Sequence, residues 1–339
     1  MVVHDTRRRP LRDLRISLID RCNFRCPYCM PAELFTEDYQ FIDRSLRLTA
    51  EEITRVARVM VDLGVEKIRL TGGEPLLRRD LEEIIRGVSA IDELADVALT
   101  TNGVLLAARA QALKEAGLRR ITVSLDSVDP EVFTSMSGGR GDLEKALAGI
   151  RAALEVGLAP VKVNAVVQKG VNDQGVLDLL DHFRGTGVVV RMIEYMDVGT
   201  RNGWVKDEVV SSAELLDRIA ERWPVEALDA RYRGEVARRF RYADGAGEFG
   251  LISSVSQPFC GDCNRARLSS DGGLYTCLFA THGAPLRPML RNGVSDDELR
   301  EAISVIWRRR ADRYSEIRSA QAEPELEGDG KVEMYRIGG

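Results

Sequence analysis

Six short segments rich in β-branched residues, 13–19, 67–71, 96–100, 119–124, 161–167 and 188–194, recur along the first two thirds of the chain. Helical segments at 50–63, 81–91, 105–116, 143–156 and 176–183 separate them. Thr49, with Glu52 three residues on, is a capping-box start for the first helix, and Gly64 and Gly117 stand where C-caps belong. Strands joined by helical crossovers run parallel. Six in a row predict an α/β fold with a full or partial (β/α) barrel, although a doubly wound sheet satisfies the same periodicity. The pattern stops near Met196. Segment 197–206 reads as a loop, 213–222 as a helix ending at Trp223 and Pro224, 235–242 and 248–253 as strand-like pieces, and 296–310 as a helix before a polar tail. The expected division is a barrel domain over 1–200 and a smaller C-terminal region over 201–339.

The cysteines constrain the chemistry. There are six in 339 residues, too sparse for a disulfide scaffold, and they form two knots of three. Cys22, Cys26 and Cys29 have the spacing C-x3-C-x2-C directly after the first expected strand. Cys260, Cys263 and Cys277 have the spacing C-x2-C-x13-C. A structural zinc site wants four ligands, and of the only histidines, His4, His182 and His282, none lies near the first knot. A zinc knuckle would have to borrow a distant ligand. A cubane iron–sulfur cluster held by three thiolates keeps one iron open to substrate, which suits both knots better.

Arg265 and Arg267 lie inside the second knot at alternate positions, so a strand there would point both to one side, and arginine is the residue for bidentate phosphate recognition. The chain has 41 Arg and 7 Lys, however, so most of its arginines read as solvated surface, the runs 7–9 and 308–310 included. A formal net charge of −5 argues against a dedicated nucleic-acid binder. No apolar run approaches the ~18 residues of a membrane span, and the first ten residues lack the apolar stretch of a secretory signal. A cytoplasmic enzyme with no nucleic-acid or membrane partner is expected.

C-x3-C-x2-C after the first strand of a parallel βα array resembles the radical S-adenosylmethionine (SAM) superfamily. The resemblance implies a [4Fe–4S] cluster on Cys22, Cys26 and Cys29 whose open iron chelates SAM, and reductive cleavage of SAM to a 5′-deoxyadenosyl radical. It implies SAM contacts at Tyr28, at Gly73 in the TGGEP stretch, at Ser124 and at Met196, for which a core methionine is the alternative. The stretches CNFRCPYCMP, KIRLTGGEPLLRRDL, LTTNG, VSLDS, VKVNAVVQKGVND and FCGDCNRARLSSDG, with the terminal RIGG, resemble one family within it. These are the GTP 3′,8-cyclases of molybdenum-cofactor biosynthesis.

That narrower resemblance implies a second [4Fe–4S] cluster on Cys260, Cys263 and Cys277 whose open iron binds guanine. It also implies GTP contacts at Arg15, Arg69, Thr100, Lys162, Arg191, Arg265, Ala266 (backbone only) and Arg267. Arg265, Arg267 and the terminal Gly338 and Gly339 would assist catalysis. A flavodoxin- or ferredoxin-like electron donor, cyclic pyranopterin monophosphate synthase as the next enzyme and a homodimer are further implications. The reaction would remove the ribose C3′ hydrogen and join C3′ to guanine C8.

The SAM positions are expected at the C-terminal ends of the strands and the GTP positions on the strands, lining one chamber, with the second knot across the mouth. The segment 136–140 reads as a surface loop one residue longer than in relatives, and Pro288 as a break before Leu290; neither is expected to touch the chemistry. Competing readings are a radical SAM enzyme with an auxiliary cluster acting on a peptide, a zinc protein binding nucleic acid, and a two-cluster electron carrier.

Overall fold

A computed structural model of the chain describes residues 2–320 and 330–339; residues 321–329 of the expected polar tail lie outside the described residues. Six parallel strands, β1 (Asp13–Ser17), β2 (Lys67–Thr71), β3 (Asp96–Thr101), β4 (Arg120–Ser124), β5 (Lys162–Val167) and β6 (Val189–Glu194), fall within a residue or two of the expected segments. They neighbour one another in sequence order. A doubly wound sheet would reverse its order at the first strand. The uninterrupted order is that of a barrel wall, which decides between the two expected architectures.

The wall is open between β1 and β6, and the C-terminal third extends both of its edges. A meander of β7 (Val225–Leu228), β8 (Arg238–Tyr242) and β9 (Glu248–Ile252) continues from β6, with β9 parallel to it. On the other edge β10 (Arg265–Leu268) pairs parallel with β1, followed by β11 (Gly273–Tyr275) and β12 (Ala284–Pro285).

Period-two alternation sorts the barrel's side chains. Leu14, Ile16, Ile68, Leu70, Ile121 and Val123 face outward and are fully buried or nearly so under the helices. The alternate residues point inward and are mostly polar: Asp13 and Arg15, Lys67 and Arg69, Arg120, Lys162 and Asn164, and Arg191. Parallel sheets are normally apolar on both faces, so a polar inner face marks the lumen as a site.

Three expectations about elements need correction. The helix expected at 105–116 covers only Ala110–Glu115. Gly103 turns the chain at φ +82° and Glu74 holds the Asn102 N–H at 2.8 Å, so residues before it are committed to a turn. Pro288 does not break a helix but opens one, Arg287–Arg291, where its missing N–H costs nothing. A helix at Pro130–Met136 was not expected, although Asp129 caps it and Pro130 starts it, both legible signals. Among the described residues no helix is long and apolar enough to cross a membrane.

Candidate active site

A chamber of about 980 Å³ fills the barrel and reaches all six cysteines. Its upper rim is built from the loops after the strands. Cys22, Cys26 and Cys29 follow β1 in a loop that Arg25 braces from inside, donating to the carbonyls of Cys22 (2.9 Å), Phe24 (2.8 Å) and Phe35 (2.8 Å). Gly73, after β2, carries no side chain because a Cβ there would lie 2.2 Å from the Arg21 carbonyl oxygen; the two loops interlock through backbone. Glu74 is buried and accepts from the Thr101 hydroxyl (2.7 Å) and from the N–H groups of Asn102 (2.8 Å) and Leu76 (2.9 Å), tying the ends of β2 and β3 together. Tyr28 donates to Asp126 at 2.7 Å, and Ser124 and Met196 complete the rim.

Glu74, Asn102 and Asp126 were not singled out from sequence. Each is a polar residue just past a strand end, which was the available signal. The segment 136–140 is no remote surface loop: Met136 and Ser137 line the chamber, the Ser137 carbonyl accepts the Arg25 N–H at 3.0 Å, and a Cβ on Gly138 would meet the Arg25 oxygen at 2.1 Å. The extra length packs directly on the first cysteine loop.

The donor set of that loop suits a cluster. Burial pushes the Cys22 thiol up to about 12 and raises Cys26 and Cys29 as well, so thiolates form there only against a cationic centre. The Phe24 N–H points at Cys22 Sγ (3.3 Å), a hydrogen bond of the kind that tunes ligated sulfur. Among the described residues no three His, Cys, Asp or Glu side chains are placed to share one ion. A cubane takes one thiolate per iron. Cys22, Cys26 and Cys29 thus fit a [4Fe–4S] cluster.

The second triad sits elsewhere than expected. β10 runs parallel to β1 with Arg265 opposite Asp13, so Cys263 precedes this pair of strands at the end opposite the one where Cys22 follows it. The β10–β11 register, Arg267 opposite Tyr275, carries Cys277 back beside Arg265. The Phe279 N–H points at Cys277 Sγ (3.4 Å), and Arg265 donates to Cys263 Sγ (3.1 Å) with its guanidinium 4.9 Å from the Phe259 ring centre. The triads therefore flank the lumen rather than share its mouth.

Between them lies a crowd of cations. Arg15 on β1 has Arg69 on β2 and Arg267 on β10 as its register partners, an arrangement that destabilises a sheet unless something anionic lies among them. Burial, followed by repulsion from Arg267, Arg265 and Arg69, drives the Arg15 guanidinium well below its ordinary range. Burial, then Arg191 and Arg120, brings Lys162 down to about 7, and burial brings Lys67 to about 8 against the attraction of Asp13. Burial, then Arg69 and Arg120, lowers Arg191 to about 9; burial, then Arg265, lowers Arg267 to about 10. The Nε atoms of Arg15, Arg69 and Arg191 are buried without a partner. Arg69 does donate to Thr100 (3.0 Å) and Thr122 (3.1 Å).

Arg15, Arg69 and Arg191 are third in their strands and Lys162 is first, so the cations lie down in the lumen, below the rim. The Ala266 side chain faces the core, which leaves its backbone as the part available for the expected contact.

The C-terminal segment enters from the rim. Lys331 donates to Asp197 (2.7 Å), Tyr335 and Tyr39 share a hydrogen bond (2.8 Å), and the Gly338 carbonyl accepts from Arg267. Gly338 has φ +77°, and a Cβ on it would stand 2.2 Å from Thr71 Cγ2. Gly339 lines the chamber.

An open βα barrel with a cysteine triad after its first strand and a Gly-Gly-Glu turn after its second is the architecture of a radical SAM enzyme. The Radical SAM superfamily model matches residues 16–183, and the Molybdenum Cofactor Synthesis C model matches residues 188–316. A GTP 3′,8-cyclase of Xanthomonas axonopodis pv. citri is 55% identical over 98% of this chain and 97% of its own, and one of Acidothermus cellulolyticus is 49% identical over 99% of both. The chain belongs to the GTP 3′,8-cyclase family. Among solved structures, Streptococcus suis SuiB bound to S-adenosylmethionine superposes with a TM-score of 0.58 at 16% identity. The match covers 79% of this chain and 61% of that one, and it is a likeness of fold alone.

Proposed function

We propose that this chain converts GTP to (8S)-3′,8-cyclo-7,8-dihydroguanosine 5′-triphosphate, the first step of molybdenum-cofactor biosynthesis. The observation that carries the reading is the set of buried, mutually repelling cations between the two cysteine triads. A triphosphate brings about four negative charges and is the anion that such a set holds.

Cys22, Cys26 and Cys29 hold the first [4Fe–4S] cluster, which with SAM supplies a 5′-deoxyadenosyl radical as the hydrogen-abstracting agent. Gly73 offers backbone to the SAM amino group, Ser124 contacts its ribose or carboxylate, and Tyr28 and Met196 bracket its adenine. Cys260, Cys263 and Cys277 would hold a second [4Fe–4S] cluster, which would offer a binding site for guanine. Arg15, Arg69, Lys162, Arg191, Arg265 and Arg267 neutralise the triphosphate, with Thr100 as a further contact. The substrate is thereby stretched between the triads, its ribose toward the SAM end. The reaction removes hydrogen from C3′, forms the C3′–C8 bond, and takes up one electron and one proton. The Gly338–Gly339 end closes the rim and excludes water. A flavodoxin- or ferredoxin-like donor would supply electrons and cyclic pyranopterin monophosphate synthase would take the product, in the cytoplasm, with the enzyme as a homodimer.

The test is anaerobic reconstitution followed by reduction with SAM. About eight irons per chain are expected, and 5′-deoxyadenosine should form only when GTP is present. Zinc in place of iron, or 5′-deoxyadenosine released by a peptide but not by GTP, would refute the reading.

Proton linkage gives a second expected result. Folding lowers the pKa of Lys162 to about 7 and of Lys67 to about 8, so the free chain sheds protons there that the unfolded chain keeps. Stability of the free chain should then rise with pH above about 7. A bound polyanion favours the charged lysines, so GTP binding takes up protons and weakens as pH rises from about 7 to about 9. Calorimetry in buffers of different ionisation enthalpy reads that uptake directly; no uptake would contradict it.

A further inference from the structure

The arginine runs read as solvated surface contain two of the more deeply buried cations in the molecule. Arg9 is 1% exposed and Arg310 4%. Both grip Asp5, itself buried: Arg9 Nε at 2.5 Å and Arg310 Nη1 at 3.2 Å from the same carboxylate oxygen. From that anchor they reach out to the second cysteine triad. Arg9 Nη1 donates to the Cys260 carbonyl at 2.8 Å. Arg310 Nη1 donates to the Cys263 carbonyl at 2.7 Å, and its Nε to the carbonyl of Thr276, just before Cys277, at 3.0 Å. The Trp307 indole closes the assembly, donating to the Arg9 carbonyl at 3.1 Å with the Arg310 guanidinium 4.6 Å from its ring.

The two triads face different problems. The first is compact and carries its own brace in Arg25. The second is spread over residues 260–277 on separate turns, gathered locally by backbone: the Cys263 N–H donates to the Cys260 carbonyl at 3.2 Å and the β10–β11 pairing returns Cys277. We infer that Asp5, Arg9 and Arg310, brought together from the two ends of the chain, are the positioning residues of the second cluster. They set the spacing of its three ligand backbones and place against it two guanidiniums that Asp5 and Asp312 partly balance. The inference rests on the reading of Cys260, Cys263 and Cys277 as cluster ligands. The charges have a consequence of their own: a cation beside a cluster favours the reduced, more negative state, so it raises the reduction potential.

The experiment compares the reconstituted wild-type chain with Arg9→Gln, Arg310→Gln and Arg310→Lys. Iron, electron paramagnetic resonance and redox titration are followed in each. SAM binding and the thermal midpoint of the iron-free chains are measured alongside. The two glutamine variants should fall from about eight irons toward about four. They should keep the first cluster and SAM binding, and whatever second cluster remains should titrate at a more negative potential. Arg310→Lys should hold an intermediate amount of second cluster at close to the wild-type potential, because it restores charge but not the two-carbonyl grip. Full occupancy with unchanged potential in the glutamine variants would overturn the inference. So would parallel loss of both clusters with a lowered iron-free midpoint, which would mean a general folding role. About four irons in the wild type would instead refute the second-cluster reading itself, and this inference with it.

Discussion

Removal of Gly338 and Gly339 should all but stop GTP cyclisation while iron content and SAM binding stay at the wild-type level. The two cysteine triads are built from residues outside the tail, whereas the tail's last residues reach the chamber. Gly338 gives its carbonyl to Arg267, and Gly339 lines the chamber. Truncation therefore frees a buried guanidinium and opens the rim to water at once. The expected loss is about 10²–10³-fold in kcat, the scale of a removed transition-state contact. A point change separates the backbone demand from the length. Gly338→Ala places its Cβ against Thr71 Cγ2 in a conformation disfavoured for any L side chain, and Thr71→Ser, which removes that methyl, should recover part of the activity. Gly339, whose Cβ would meet the flexible Met334 side chain, its Sδ nearest at 3.1 Å, should tolerate alanine better. Unchanged turnover after deletion would remove the tail from the mechanism.

The second large effect concerns the cation layer. Lys162→Met should weaken GTP binding by about 10–100-fold, the scale of one charge-assisted contact. The same change should raise the melting temperature of the nucleotide-free chain, because it removes a desolvated cation repelled by Arg191, Arg120 and Arg69. Opposite signs for stability and affinity distinguish a binding residue from a structural one. The preference for GTP over GDP should shrink in the same variant, since the missing charge faces the phosphates. A fall in both stability and affinity, or no change in affinity, would contradict the assignment.

Much of this was legible in sequence because the relevant signals are local. The six strands declare themselves through β-branched runs ended by turn residues, and the capping box of Thr49 and Glu52 forms as read. The first triad needs only its spacing and the strand before it. What was not legible depends on register. Nothing in Arg9 or Arg310 distinguishes them from exposed neighbours in an arginine-rich chain; their burial follows from the parallel pairing of β1 with β10, which brings residues 251 positions apart into contact. The same pairing puts the second triad at the far end of the strands instead of across the mouth. The depth of Arg15, Arg69 and Lys162 was not legible for a related reason. Their strand positions were visible, but the barrel's height and the site's place within it come only from the assembled wall.

Transfer of hydrogen from the substrate tests the central claim most directly. Reconstituted, reduced enzyme should be given SAM and GTP deuterated at ribose C3′, and the 5′-deoxyadenosine analysed by mass spectrometry. The account predicts one deuterium in 5′-deoxyadenosine and none in the cyclised product, with no transfer from GTP labelled at C2′. Unlabelled 5′-deoxyadenosine from the C3′-labelled substrate, or its formation at the same rate without GTP, would contradict the account.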